Sequence, residues 1–331
     1  MVAMPIRAEI YDLPPAGYDV IGAVSTITAR HEDTLVDIAR RHGLGYEDIV
    51  RANPGVNVWL PGAGTEIILP TRFVLPVGAR RGVILNLAEY RLYYFPEPKP
   101  GEPATVTTYP ISIGRMDWET PLGLTKIISK VRNPSWYVPQ SVIDEHAANG
   151  DPLPRIVSPG PDNPLGKYAM RLGLPGYLIH STNRPAGVGM RVTHGCVRMF
   201  PEDIEYLFGH IGINTPVRIV NEPIKMGWDG DQLVIEVHPV LEAVLPDELV
   251  PEAREQVAED EVTAGPAESD DIDVATKDPL TYVIEKFIAI TGERAGQLDW
   301  HLVEQIVGRS DGIPTPVGRG IKNAATSAAF Q

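Results

Sequence analysis

The chain has 331 residues, 43% hydrophobic and 22% charged, enough for two or three folded units and too apolar for a disordered protein. Its net charge of −14 is concentrated between Glu242 and Asp273, where twelve acidic residues face one basic residue, Arg254. The rest is near neutral and has no basic patch interleaved with aromatics, which excludes nucleic-acid binding. One cysteine, Cys196, excludes an intrachain disulfide and a Cys-rich zinc module.

Met1 to Gly17 carries Pro5, Pro14 and Pro15 and lacks the basic-flanked apolar run of a secretory signal. No stretch is long enough to span a bilayer. A first block runs from about Ile27 to Pro70. Thr26 to Thr28 read as a strand. Asp33 is placed to cap a helix beginning at Thr34, with Leu35, Ile38 and Ala39 on one face and Gly43 as its stop. Glu47 to Ala52 form a second helix, ended by Asn53-Pro54-Gly55, and Glu66 to Leu69 a closing strand.

A β-rich block follows. Val83 to Leu87 and Arg91 to Phe95 predict a hairpin, and Thr105 to Ile113 and Leu124 to Ile128 predict further strands. Asn133 to Gly166 reads as Pro- and Gly-rich loop. Strands return at Tyr177–His180, Pro216–Val220 and Gln232–Val237, with a helix from Pro201 to Gly209. The acidic stretch reads as a solvated linker. Val283, Phe287 and Ile290, then Leu298, Leu302 and Ile306, fall at helical spacing, and Gly312 to Gln331 reads as disordered.

The chemistry gathers around Thr193-His194-Gly195-Cys196-Val197-Arg198, with His180-Ser181 upstream. A thiol needs deprotonation before it attacks a carbonyl, and a nearby imidazole can take that proton to give a thiolate–imidazolium pair. Gly195 lets a substrate approach the backbone, whose N–H groups can hold an oxyanion. A buried, inert cysteine is the alternative reading of the same residues. Zinc is disfavoured, because His180, His194, Cys196 and His210 are the only nearby donors.

These strings resemble the L,D-transpeptidase (YkuD) catalytic domain. The likeness rests on His180-Ser181 and Thr193 to Arg198, with Asn86-Leu87, Arg91 to Tyr93, Thr120 to Gly123 and Gly160 to Gly166 in support. The earlier block resembles a LysM module through Asp33-Thr34-Leu35, Ala52-Asn53-Pro54 and Glu66 to Pro70. Together they look like the LysM-containing periplasmic enzymes of Gram-negative bacteria, including those that attach Braun's lipoprotein to peptidoglycan. The implied fold is α+β, mainly β. A βααβ module precedes a β-rich catalytic domain, a sandwich of mixed sheets with a few helices, and a C-terminal helical extension follows. The expected units are an N-terminal segment (1–24), the LysM-like module (25–71), the catalytic domain (80–222), strands attached to that domain (223–240), an acidic linker (241–277), the helical extension (278–310) and a disordered tail (311–331).

The resemblance implies roles. Cys196 is the nucleophile and His180 the proton donor and acceptor. Ser181 orients that imidazole through its carbonyl or hydroxyl, and His194 and Gly195 shape the site and its oxyanion hole. Arg198 and Thr193 contact substrate, or Arg198 holds the nucleophile loop; His210 and His238 are structural. The implied reaction is acyl transfer from the third residue of a peptidoglycan tetrapeptide stem to an amine, making a 3→3 cross-link or anchoring an outer-membrane lipoprotein. An L,D-carboxypeptidase and a non-catalytic wall-binding protein are the alternatives. No metal or organic cofactor is implied, carbapenems acylate the family, and the expected location is the periplasm, which requires an export signal removed or lying upstream of the recorded start. The C-terminal extension is expected to dock a partner or cover the cleft.

Overall fold

Alternating apolar residues explain how the layers stack. The computed structural model describes residues 9–115, 118, 120–241, 278–291 and 297–320. The N-terminal part contains strand β1 (Ile10–Asp12), β2 (Val20–Thr28), helix α1 (Leu35–Arg41), α2 (Tyr46–Ala52) and β3 (Glu66–Val74). β2 and β3 form one long antiparallel ladder from Val20↔Val74 to Thr28↔Glu66, so this unit extends beyond the expected residues 25–71 at both ends. The cap of α1 is Thr34, not Asp33: its hydroxyl accepts from the Asp37 N–H at 3.0 Å. The Asp33 carboxylate instead accepts from the Arg30 N–H and pairs with Arg41. Asn53 closes the unit, because its side chain bonds the Ile49 carbonyl and both backbone groups of Ile68.

The middle part holds β4 (Gly82–Asn86), β5 (Arg91–Phe95), β6 (Thr105–Pro110), β7 (Ile113–Gly114), β8 (Gly123–Arg132), β9 (Trp136–Tyr137), α3 (Gln140–Ala148) and β10 (Ile156–Val157). β11 (Tyr168–Leu172), β12 (Leu178–His180), β13 (Arg191–Thr193), β14 (Val197–Arg198), α4 (Pro201–His210) and β15 (Pro216–Val220) follow. Nine strands make the main sheet, in the order β1-β6-β5-β4-β15-β8-β11-β12-β14. Both faces of its centre are covered, which is why β4 and β5 are buried throughout and read as continuous apolar runs. Val83, Leu85, Leu92 and Tyr94 face one core with Ile204 and Leu207 of α4. Ile84, Tyr93 and Phe95 face the other, which they share with Leu35, Ile38, Leu44 and Ile49. The N-terminal unit is therefore packed on the sheet.

The segment 133–166 is not all loop. It folds into the β9–β10 pair with α3 between them, tied at its base by the Asn163 side-chain amide, which donates to the Pro134 carbonyl. Val142 is the buried residue of α3, so the helix shows almost no apolar periodicity.

A third unit contains β16 (Ile224–Asp229), β17 (Gln232–Val237), α5 (Pro279–Thr291), β18 (Gln297–Leu298), α6 (Trp300–Arg309) and β19 (Thr315–Arg319). Its sheet runs β16-β17-β19-β18, over a core that includes Ile224, Ile235, Val283, Val303 and Val317. This corrects one expectation: residues 315–319, expected in a disordered tail, are a strand paired with β17. β16 and β17, expected as strands attached to the preceding domain, lie in a sheet of their own. The described C-terminal helices pack on this sheet, not over Cys196. Residues 242–277 of the expected linker and the tail from 321 lie outside the described residues.

The three units meet at buried charges. Lys225 Nζ donates to Glu89 at 2.6 Å, Glu236 at 3.0 Å, and the Val74 carbonyl at 2.7 Å. Tyr93 and His238 complete the group: the Tyr93 hydroxyl donates to Glu89 and His238 Nε2–H to Glu236. Burial pushes Glu89 up, whereas Lys225 and His238 hold Glu236 down at about 2. Glu89, Glu236 and His238 are the one group among the described residues that could bring three metal ligands together, and the Lys225 ammonium already bonds both carboxylates.

Candidate active site

The edge of the main sheet carries the cysteine. β12 and β14 run parallel, with Ile179 opposite Val197 and His180 opposite Arg198. The chain turns at Gly195, whose φ of +88° suits a residue without a side chain, and delivers Cys196 immediately before β14. Because strand side chains alternate, Cys196 and Arg198 project to one side, with His180 beside Arg198. Cys196 is partly exposed, and its thiol donates to the Gly176 carbonyl at 3.7 Å.

His180 is buried, 3% exposed. Its Nδ1 lies 2.6 Å from the Ser181 carbonyl, which can only accept. Nδ1 therefore carries the hydrogen, and Nε2 of the neutral ring is left as the basic nitrogen. The Ser181 carbonyl, not its hydroxyl, makes this contact. Burial, aided by the Arg198 charge, lowers the imidazole to about 3. Burial also pushes the Cys196 thiol up, and the Leu178 backbone and Arg198 oppose this only in part. Both shifts run against the charged forms of the two groups.

The Thr193–Cys196 loop is tied from within. The Thr193 hydroxyl donates to the Cys196 carbonyl at 2.5 Å, and Thr193 is fully buried. It braces the loop from a buried position, where the sequence reading expected a substrate contact. Thr120, also buried, accepts from the Gly114 N–H and donates to the Gly195 carbonyl at 2.8 Å. His194 Nε2–H donates to Glu145 on α3 at 2.7 Å, and Glu145 makes a two-point pair with Arg115 at 2.9 and 3.1 Å. Arg115 and His194 together lower Glu145 to about 2, and burial lowers His194 despite Glu145. Sequence reading missed Arg115 and Glu145, which belong to no motif. Arg198 is partly buried with its Nε unpartnered, and no ion pair of its guanidinium is seen among the described residues. His210 bonds the Tyr206 carbonyl within α4, and His238 belongs to the buried charge group.

Residues 80–219 match the model of the L,D-transpeptidase catalytic domain. The probable L,D-transpeptidase YcfS of Escherichia coli K12 is 38% identical over 75% of this chain and 78% of its own. The chain belongs to the L,D-transpeptidase family. The probable L,D-transpeptidase ErfK/SrfK of Salmonella typhimurium is 39% identical over 70% of this chain and 74% of its own. The protein is an L,D-transpeptidase, an enzyme of a family that acts on peptidoglycan. No helix among the described residues is long and apolar enough to cross a membrane.

Proposed function

We propose that this L,D-transpeptidase works through Cys196, with His180 Nε2 as its base and acid. The observation that carries the reading is the β12–β14 register, which sets a buried imidazole of fixed tautomer beside the cysteine strand. As the thiol attacks the carbonyl between the third stem residue and terminal D-Ala, its proton passes to His180. Backbone N–H groups of Gly195 and Cys196 hold the oxyanion. The tetrahedral adduct collapses, the C–N bond breaks, and His180 returns the proton to the departing D-Ala amine. An acceptor amine then loses a proton to His180, attacks the thioester and releases the thiol. A stem amine gives a 3→3 cross-link, a lipoprotein lysine gives an anchored lipoprotein, and water gives carboxypeptidase activity. Arg198, cationic and with no counter-ion among the described residues, is suited to a carboxylate of the donor stem. His194 and its Glu145 brace support the loop.

The N-terminal strand–helix–helix–strand unit supports assignment as a LysM module that binds the glycan, and a peptidoglycan substrate supports a periplasmic location. The test is intact-mass analysis after incubation with a disaccharide-tetrapeptide or a carbapenem. An adduct on Cys196 that vanishes in Cys196→Ala is expected. Folded protein with a free thiol and no adduct would sink the nucleophile assignment.

A further inference from the structure

We infer that the first turn of α2, in the N-terminal unit, is a positioning element of the thiol site, and that Gly45 is the residue that permits this. The inference rests on Cys196 being the nucleophile.

The chain between His180 and Cys196 passes through residues 185–190 before entering β13. Its inner side is pinned to the catalytic sheet. Ser112 Oγ donates to the Gly187 carbonyl at 2.8 Å, the Ile113 N–H to the Met190 carbonyl at 3.2 Å, and β13 pairs with β7. Its outer side is held by the other unit. The Tyr46 N–H donates to the Val188 carbonyl at 2.9 Å and the Glu47 N–H to the Gly189 carbonyl at 3.3 Å. A helix begins with N–H groups that have no partner inside the helix, and a side chain before the first turn commonly takes one. Gly45 has no side chain to offer. The carbonyls of the bridge take that place, and Val188 and Gly189 are buried beneath the helix.

The contact is backbone against backbone. A Cβ on Gly45 would lie 2.7 Å from Gly189 Cα, and one on Gly189 would lie 2.3 Å from Tyr46 N. No rotamer relieves such an overlap, so the two surfaces must part. Two ion pairs flank the contact. Arg40 grips Glu202 of α4 at 2.7 and 2.8 Å, and Asp48, which also accepts from the Gly45 N–H, pairs with buried Arg91. The bridge is clamped between two rigid elements, and its far end is the Thr193–Cys196 loop. Displacing the outer clamp is transmitted to the thiol through the six residues 190–195 of extended chain and turn.

Gly45→Ala is the discriminating substitution. Gly45 has φ −87°, which alanine adopts freely, so the strain falls on the interface and not on the N-terminal unit. A carbapenem is the probe because it carries no glycan, so weaker glycan binding cannot alter its rate. Misplacement by a fraction of an ångström predicts a fall of roughly ten- to a hundred-fold in the second-order acylation rate. The pH profile of Cys196 alkylation should shift with it, because the thiol moves relative to His180; a merely structural loss would leave the profile of the folded fraction unchanged. Arg40→Gln, which loosens the clamp without a wedge, should lower acylation less and in the same direction, and serves if Gly45→Ala does not fold. Failure of the unsubstituted enzyme to acylate would refute the nucleophile assignment. Normal acylation by that enzyme and by both variants, or slower acylation with an unshifted profile, would overturn the positioning role.

Discussion

His180 and Cys196 each occupy surroundings that penalise their charged forms. The imidazole lowered to about 3 is neutral throughout the neutral range, and the raised thiol is protonated there. These shifts predict that the thiolate forms during attack rather than before it. Alkylation of Cys196 should climb with pH through and beyond the usual thiol range, about 8.5, with no step between pH 5 and 8. A step near pH 6 to 7, followed by iodoacetamide labelling and peptide mass analysis, would reveal a resting ion pair instead. The sequence draws attention to these two residues through the contiguous string around Cys196 and the His180-Ser181 pair upstream. Their protonation was not legible, since it depends on how deeply β12 is buried and on which atom faces Nδ1. Thr193 shows the same limit: a hydroxyl beside the motif reads as a substrate contact, and only the fold shows it turned inward to the Cys196 carbonyl.

At the scale of elements, α3 is held against the Thr193–Cys196 loop by Glu145. That carboxylate has an ordinary value of 4.5 and a folded value of about 2, so its contribution is complete above about pH 4.5 and is lost as pH falls through 2. Partial exposure limits the effect to about 1 kcal/mol. Glu145→Gln should therefore remove part of the acid-sensitive melting of the enzyme between pH 4.5 and 2. At neutral pH it should speed amide exchange in residues 140–148; identical exchange in the two proteins would contradict the bracing role. Helices α1 and α4 were legible from periodic apolar positions, and α4 also from Pro201 at its first position. α3 was not, because a helix that buries Val142 alone carries no such signal. β19 was hidden by Pro316 and Gly318, which read as disorder. Proline is tolerated there because β18 pairs only with Gly318 and Arg319, and the ladder to β17 shifts register opposite Pro316.

Over the whole molecule, the junction at Lys225 joins the N-terminal unit, the catalytic sheet and the third unit. Lys225→Met would leave Glu89 and Glu236 buried without their cation, a loss on the order of 3–5 kcal/mol. Urea titration should show this as an early transition, and adding Glu89→Gln and Glu236→Gln should recover much of it; no recovery would mean that lysine packing, not charge, holds the junction. The large divisions were legible from composition and motifs, but their mutual packing was not, because it depends on single buried partners far apart in sequence. The β17–β19 ladder has a consequence in time. A chain emerging from the ribosome amino end first can complete the catalytic sheet once β15 is out, whereas β17 waits for Thr315–Arg319. During that interval β17 offers an open strand edge to any other chain nearby. The last unit to be sealed is the one most exposed to mispairing during synthesis.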